Sequence, residues 1–475
     1  MTPPQYLSKN IVLKFGGSSV ADAAHWQTIA NQMQLNLDQS IRPLLVLSAL
    51  KNVSNLLEAL LHQSLAGVHS VAIAQLKELH LGFANQLELD LQLDSKLSLR
   101  LNHWFEQLEQ DCLNIFKTKS ISPKNHAKVL AIGELLSSTI GAEYLSSQGF
   151  ELKWLDAREV LKSNDQSDPW HHYTSAQCDF RNADYLTNNL SSTELHQNSI
   201  IVTQGFIASD QSGDTVLLGR EGSDTSAAYF AAMLKAQCLE IWTDVAGVYS
   251  SNPREISGTA HLPQLSYQQA LLMAQFGAKV LHPGVIEPVK ENAIPLNVRS
   301  TSKPEHEGTW INSDAVDESA VDGALIKAKA VVFEPIVTHF LFTPPVDGSG
   351  MEVIHEKVAK LGFDRVLLCH KAGEYHLISN YVNSDRPHPD FPALFKAFAR
   401  SSVSAAIGRA LITIIADQTD SHWTQQVEIL VKALIGDKLI EIYTCESNER
   451  VCLLVDSADC LQFSQLIHNR LVNGI

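Results

Sequence analysis

Four short stretches carry residues whose types and spacing suit chemistry on anions. The first is "LLGREGSDTSAAYF", where an apolar pair meets a glycine turn and a small-residue helix pattern follows. Arg220, Glu221, Ser223 and Asp224 sit in that corner. An arginine there can grip a carboxylate or phosphate through two parallel hydrogen bonds. Ser223 or Asp224 also suits a plain helix N-cap, which leaves Arg220 and Glu221 unexplained. The second stretch is Lys14-Phe15-Gly16-Gly17-Ser18-Ser19, a cation and two glycines at the end of the strand pattern "NIVLKFGG". Glycine lets the backbone approach a ligand closely, and free amides at a following helix start favour anions. A strand, turn and helix with a solvated lysine fits this stretch too. The third is "IWTDVAGVYSSNPREI", with Asp244 after an apolar strand, Tyr249 as a stacking group and Arg254 after a proline. A turn with solvated charges is its plainer reading. The fourth is "FGAKVLHPGV", with Lys279 and His282. Lys14, Arg220 and Lys279 would form an anion site if they converge on one cleft. No G-x-x-x-x-G-K-[ST] loop occurs, so another glycine device must hold any phosphate.

These residues need elements to position them. "PLLVLSAL", "SIIVTQGFIA", "CLEIWTDV" and "IPLNVRS" read as buried strands. "SNLLEALLHQSLAGVHSVAIAQLKELHLGF" and "LSLRLNHWFEQLEQDCLNIF" read as long helices. Strands alternating with helices predict an α/β domain with a mainly parallel sheet between helices. Ligands then bind beyond the carboxyl ends of the strands. Lys14, Ser48, Arg220 and Asp244 all fall at or just past such ends.

The pattern changes after about Gly323. Short strands "IKAKAVVF", "IVTHFLFTPP", "RVLLCH", "EYHLISNYV", "RALITIIA", "KLIEIYTC" and "RVCLLVDS" alternate with helical "MEVIHEKVAKL", "FPALFKAFA", "WTQQVEILVKAL" and "DCLQFSQLIHNRLV". This predicts two ferredoxin-like β-α-β-β-α-β units. The proline-rich "VNSDRPHPDFP" reads as a loop.

The whole chain bounds these readings. Its 475 residues allow two or three domains, and 45% hydrophobic residues suit a soluble globular protein. Against 36 Lys and Arg stand 52 Asp and Glu, a net charge of −16, which disfavours non-specific nucleic-acid binding. Seven cysteines, with no C-x-x-C pair, suggest neither a disulfide framework nor a zinc site. Cys445 and Cys452 read as buried thiols in adjacent strands. The His171-His172 pair reads as part of a polar loop rather than a metal site. The first residues lack a signal-peptide core, and no apolar run reaches membrane-spanning length, so a cytoplasmic location is expected.

Taken together, "KFGGSSVAD", "VLSALKNVSNLL", "GELLSSTIGAEYL", "WLDAREVL", "IVTQGFIA", "LGREGSDTSAAYFA", "IWTDVAGVYSSNPR" and "FGAKVLHPGVIEPV" resemble aspartokinase, within the amino-acid kinase superfamily. The resemblance places a catalytic domain at 9–312 and tandem ACT regulatory units at 324–475. It implies a first ACT unit at about 334–405, inserted into a second formed by about 324–333 and 406–475.

The same resemblance implies phosphoryl transfer from ATP to the side-chain carboxylate of L-aspartate, with Mg²⁺ carried mainly by the ATP phosphates. It gives Lys14 and Asp224 to catalysis. It gives Ser48, Ser54, Glu134, Arg220 and Ser223 to aspartate. Lys14, Gly16, Gly17, Ser18, Thr243, Asp244, Tyr249, Arg254 and Lys279 fall to ATP. An amino-acid effector at the ACT units, with Gly350 and Glu374 as contacts, and a homodimer are further implications. No homoserine dehydrogenase extension is expected. A different amino-acid kinase, such as a glutamate kinase, or a non-catalytic ACT-bearing sensor are the alternatives. The tandem units and Glu134 count against the first, and retention of the charged set counts against the second.

Three positions depart from the family pattern. Glu221 replaces a glycine of G-R-G-G-S-D; its Cβ is expected to be tolerated on an ordinary negative φ, with the side chain facing away from the anion. Ser54 stands for threonine and keeps the hydroxyl. Asn252 stands for aspartate before Pro253. The Thr-Thr-Ser run of lysine-sensitive relatives is absent from "DRVLLCHKAGEYHLI", so lysine is not the expected effector.

Overall fold

The computed structural model describes residues 9–164, 166, 168–184, 186, 199–278, 280–313, 326–342, 365–371, 373–379, 403–417, 422–444 and 449–474. They divide into two compact units. One holds the described residues of 1–248, 263–267 and 281–315; the other holds those of 249–262, 268–280 and 316–475.

The first unit is built on an eight-stranded sheet. In spatial order its strands are Gln264–Ser266, Thr309–Asn312, Leu296–Ser300, Leu239–Thr243, Asn10–Phe15, Arg42–Leu47, Ile200–Gln204 and Leu152–Leu155. Leu296–Ser300 onwards the strands run parallel, and Thr309–Asn312 is antiparallel to its neighbour Leu296–Ser300. A parallel sheet is covered on both faces, which is why its strands are continuous apolar runs. Ile11, Val12, Leu13 and Phe15 are all buried in the central strand. Lys14 interrupts that run one residue before its end.

Two helices matter most for the site. Pro123–Ser147 starts with proline in its first turn, and Ser122 caps it by accepting from Asn125 N. It is buried almost all round from His126 to Leu145, so it is a core helix. Gly222–Leu234 is rich in Ala and Ser and nearly every residue is buried. Small side chains let it lie close: a Cβ on Gly222 would come 2.8 Å from Phe206 Cδ2.

The long helical pattern beginning at Ser54 is two helices, Val53–Ala66 and His69–Gln86. Gly67 separates them in the left-handed conformation, φ +77°, closing the first helix. His171 and His172 lie in a short helix, Pro169–Thr174, and not in a loop. Asp168 caps that helix and accepts from His171, while His172 Nε2 lies 3.1 Å from Asp210 Oδ2.

The second unit contains a six-stranded antiparallel sheet. Its order is Arg365–Lys371, Glu374–Ser379, Ala328–Phe342, Val403–Ala416, Arg450–Asp456 and Glu441–Thr444. "IKAKAVVF" and "IVTHFLFTPP" are not separate strands: they fuse into Ala328–Phe342, with register shifts near Glu334 and Val337. The break expected at the Pro335 region is absorbed by these bulges. Each central strand therefore serves both ends of the sheet. Around Ala328–Glu334 the order of neighbours is ferredoxin-like, and the helices Trp423–Ile435 and Cys460–Leu471 cover that half through Val331, Ile412, Val427, Leu453 and Ile467. Side chains of the two edge strands come into contact. Lys371 pairs with Glu441 and donates to Ile442 O at 2.6 Å. Buried between them, His376 Nδ1 lies 3.1 Å from His339 Nε2 and 2.9 Å from Tyr443 OH.

The helical patterns "MEVIHEKVAKL" and "FPALFKAFA" and the loop "VNSDRPHPDFP" lie outside the described residues. So does Cys445, while Cys452 is a buried thiol.

Candidate active site

Adjacent parallel strands bring their carboxyl ends to one edge. Lys14 is in register with Val46 on one side and Ile241 on the other. Beyond the last strand residues the backbones stay joined: Gly16 N donates to Trp242 O at 3.1 Å, Ser48 N to Phe15 O at 3.3 Å, and Gly205 N to Leu47 O at 2.9 Å. Lys14, Gly16, Gly17, Ser48, Thr243 and Asp244 therefore share this edge.

The glycines are needed for its closeness. A Cβ on Gly17 would stand 2.9 Å from Ala49 O, and one on Gly205 would stand 2.5 Å from Ser223 Cβ. The first keeps the Lys14 loop against the Ser48 loop. The second admits the helix Gly222–Leu234 and its Ser223.

Lys14 and Asp224 form an ion pair on this edge, 8% and 5% exposed. Asp224 is in the first turn of its helix, where the helix dipole favours a negative charge. Glu134 comes from the middle of Pro123–Ser147 and is 3% exposed. Its Oε1 accepts from Ala49 N at 3.3 Å, and its Oε2 has no hydrogen-bond partner among the described residues. Burial pushes its pKa up to about 8, against a smaller opposing pull from the Ala49 amide. A buried carboxyl with one open oxygen can accept a hydrogen bond from a cationic group.

Ser48 and Ser18 are half-buried, Ser223 is buried, and Ser54 is exposed in the first turn of Val53–Ala66. Thr243 Oγ1 donates to Asp244 Oδ1 at 3.2 Å. Arg220 is exposed beside Glu221. Glu221 does not have the expected negative φ. It is the N-cap residue at φ +50°, ψ +30°, a left-handed geometry that suits the family's glycine. The turn after Gly219 must reverse into the helix, and this backbone does it whichever residue is present. The side chain lies at the surface; partial burial, then Asp224, raise its carboxyl pKa, while Lys14 and Arg220 oppose them, so the carboxyl stands beside the charged corner.

Tyr249 and Arg254 belong to the second unit. Tyr249 meets His261 edge-on, ring centres 5.5 Å apart. Asn252 keeps a turn: its Oδ1 accepts from Arg254 N at 3.1 Å and its Nδ2 donates to Glu255 at 2.7 Å. Glu374 is exposed at the start of its strand, opposite Lys371. Lys279 and Gly350 lie outside the described residues.

Sequence reasoning missed three contributors. Ala49 supplies the amide that orients Glu134. Gly205 makes room for Ser223, and its place directly after an apolar strand was the available signal. Ser19 Oγ pairs with Thr301 Oγ1 at 2.7 Å, fastening the glycine loop to the segment after Leu296–Ser300; nothing local reveals that.

The sequence pattern of the amino acid kinase family matches residues 9–300. The chain belongs to the amino acid kinase family. Within that family it is similar to aspartokinases. An aspartokinase of Chlamydia trachomatis is 30% identical over 370 residues, covering 78% of this chain and 79% of that one. An aspartokinase of Chlamydia pneumoniae is 33% identical over 318 residues, 67% of this chain and 66% of that protein. The crystal structure of E. coli aspartokinase III in complex with aspartate and ADP superposes with a TM-score of 0.81 at 25% identity, covering 97% of this chain and 99% of that one. The matched stretch spans 66%, 64% and 50% of three curated relatives, two thirds of their length or less. No helix among the described residues is long and apolar enough to cross a membrane.

Proposed function

We propose that this amino acid kinase phosphorylates the side-chain carboxylate of L-aspartate with ATP, giving 4-phospho-L-aspartate for the aspartate-family amino acids. The observation that carries the reading is the buried Lys14–Asp224 pair set on the same strand edge as Glu134 with its open oxygen. An amino-acid substrate has a cation and an anion at one end and a nucleophilic carboxylate at the other. Glu134 Oε2 would accept the α-ammonium, and exposed Arg220 would take the α-carboxylate. Ser48, Ser54, Ser223 and Asp224 would orient the substrate.

The attacking carboxylate is ionised at neutral pH, so no general base is required. The remaining work is to hold two anions together and to neutralise charge on the transferring phosphoryl group. Lys14 does this, with Asp224 fixing its position. The amides of Gly17 and Ser18 face the phosphates, with Gly16 letting the backbone come close, and Thr243, Asp244, Tyr249, Arg254 and Lys279 hold the nucleotide. Mg²⁺ arrives on the ATP phosphates and spreads their charge.

In this reading residues 9–312 are the catalytic domain and 324–475 the tandem ACT region, with units at about 334–405 and at 324–333 plus 406–475. What supports it is the fused pair of central strands, which lets the first unit be an insertion in the second. The ACT region takes an amino-acid effector, with Gly350 and Glu374 among its contacts. The enzyme works as a homodimer in the cytoplasm.

The test is ADP release from Mg-ATP with L-aspartate, L-glutamate or no acceptor, each with and without lysine or threonine. Aspartate-dependent turnover is expected. Turnover with glutamate alone, or ATP binding without turnover, would replace the reading by another amino-acid kinase or by a sensor.

A further inference from the structure

The segment 249–262 lies in sequence between strands of the large sheet, yet it belongs to the C-terminal unit. Ile256 is 1% exposed and sits in the apolar core of that unit with Val331, Phe463 and Ile467. Two serines tie the rest of the segment down. Ser257 N and Oγ donate to Gln465 Oε1 at 2.8 and 3.0 Å, and Gln465 Nε2 donates to Ser257 O at 3.0 Å.

Ser250 is the buried anchor. Its carbonyl accepts from Val331 N at 2.8 Å, and its own N donates to Ala260 O at 2.8 Å. Its hydroxyl accepts from Ala260 N at 2.9 Å and lies 2.9 Å from His468 Nε2. His468 is fully buried on the helix Cys460–Leu471, and its Nδ1 has no hydrogen-bond partner among the described residues. An apolar residue would fill this place without stranding a polar atom. The imidazole is retained at that cost, and what it does there is hold the Ser250 hydroxyl.

Ser250 adjoins Tyr249 and precedes Arg254 by one turn of chain. We propose that His468 is a positioning residue for ATP: through Ser250 it sets the placement of Tyr249 and Arg254. This rests on the reading of those two residues as nucleotide contacts. His468 touches no substrate in this account. It ties the segment that carries Tyr249 and Arg254 to the helix Cys460–Leu471.

The experiment measures Mg-ATP binding by calorimetry on the full chain, with KM for ATP and for aspartate alongside. The variants are His468→Ala, His468→Gln and Ser250→Ala. A lost buried hydrogen bond predicts about fivefold to tenfold weaker ATP in His468→Ala and Ser250→Ala, with KM for aspartate unchanged. The double variant His468→Ala/Ser250→Ala is no weaker than Ser250→Ala alone, which already removes the His468 contact together with that to Ala260 N. His468→Gln keeps a polar group near the Nε2 position and recovers ATP affinity, although its core packing is altered. Wild-type ATP affinity in His468→Ala overturns the proposal. So does a loss in His468→Gln as large as in His468→Ala. A wild-type chain that binds no Mg-ATP overturns instead the assignment of Tyr249 and Arg254, and this inference with it.

Discussion

Lys14 and Asp224 lie far apart in the sequence and meet as a buried ion pair at one strand edge. Removing one member leaves the other charged and buried, which costs about 3–5 kcal/mol. Lys14→Ala is therefore expected to lower both the melting temperature and aspartate-dependent turnover, the latter by about 10³-fold. Lys14→Ala/Asp224→Ala regains most of the melting temperature and none of the turnover. Thermal unfolding and ADP release, measured on the same preparations, separate the two roles.

Glu134 gives a proton-linked signature. With a pKa of about 8 it is mostly protonated at pH 7 in the free protein. In the proposed function, accepting the α-ammonium of aspartate would require it to ionise, so binding at pH 7 is expected to release about one proton. Calorimetry in buffers of different ionisation enthalpy reads that proton directly. Glu134→Gln releases none and binds aspartate about 10–100-fold more weakly. Aspartate affinity of the wild type rises from pH 6 to about 8, as the carboxyl approaches ionisation unaided.

Glu221 occupies a left-handed backbone position. Glycine adopts it without the Cβ clash, so Glu221→Gly is expected to stabilise the protein by about 0.5–1 kcal/mol. The melting temperature rises by about 2–4 °C per kcal/mol. Turnover changes only modestly, because the side chain is exposed. A fall of more than about tenfold would place the Glu221 carboxylate in the reaction.

His339 and His376 are neutral partners inside the C-terminal sheet. Burial, then His376 and Arg409, lower the His339 pKa to about 4, with Glu441 opposing; burial lowers that of His376 as well. Lys371 and Glu374 also face His376. A depressed histidine binds its proton in the unfolded chain first, so stability falls as pH drops from about 6.5 to 4. His339→Leu should flatten that slope by up to one proton. Denaturant unfolding at pH 7, 5.5 and 4.5 tests this; an unchanged slope means His339 is already protonated when folded.

Much of the first unit was legible because its signals are local. An apolar run ending in Lys14-Phe15-Gly16-Gly17 is a strand meeting a turn wherever the rest of the chain goes, and the glycines mark close backbone approach. The charged corner after Leu217 is legible for the same reason. Gly67 shows the limit: a left-handed helix end hides inside an otherwise continuous helical pattern, because one residue scarcely alters the periodicity. The backbone of Glu221 was misjudged likewise, since glutamate gives no hint of a positive φ imposed by the turn.

By itself, the sequence determined the alternation of strands and helices, the change of pattern after Gly323 and the charged residues placed at strand ends. Only the tertiary structure decided which of them meet. Lys14 finds Asp224 because the helix Gly222–Leu234 packs against the strand edge that carries Lys14. Glu134 acquires its high pKa because a whole helix is buried around it. Ser250 finds His468 because Ile256 is drawn into a core made by the chain's last helix. Each of these depends on packing between segments far apart in the chain, where free energy comes from surfaces that no local pattern encodes.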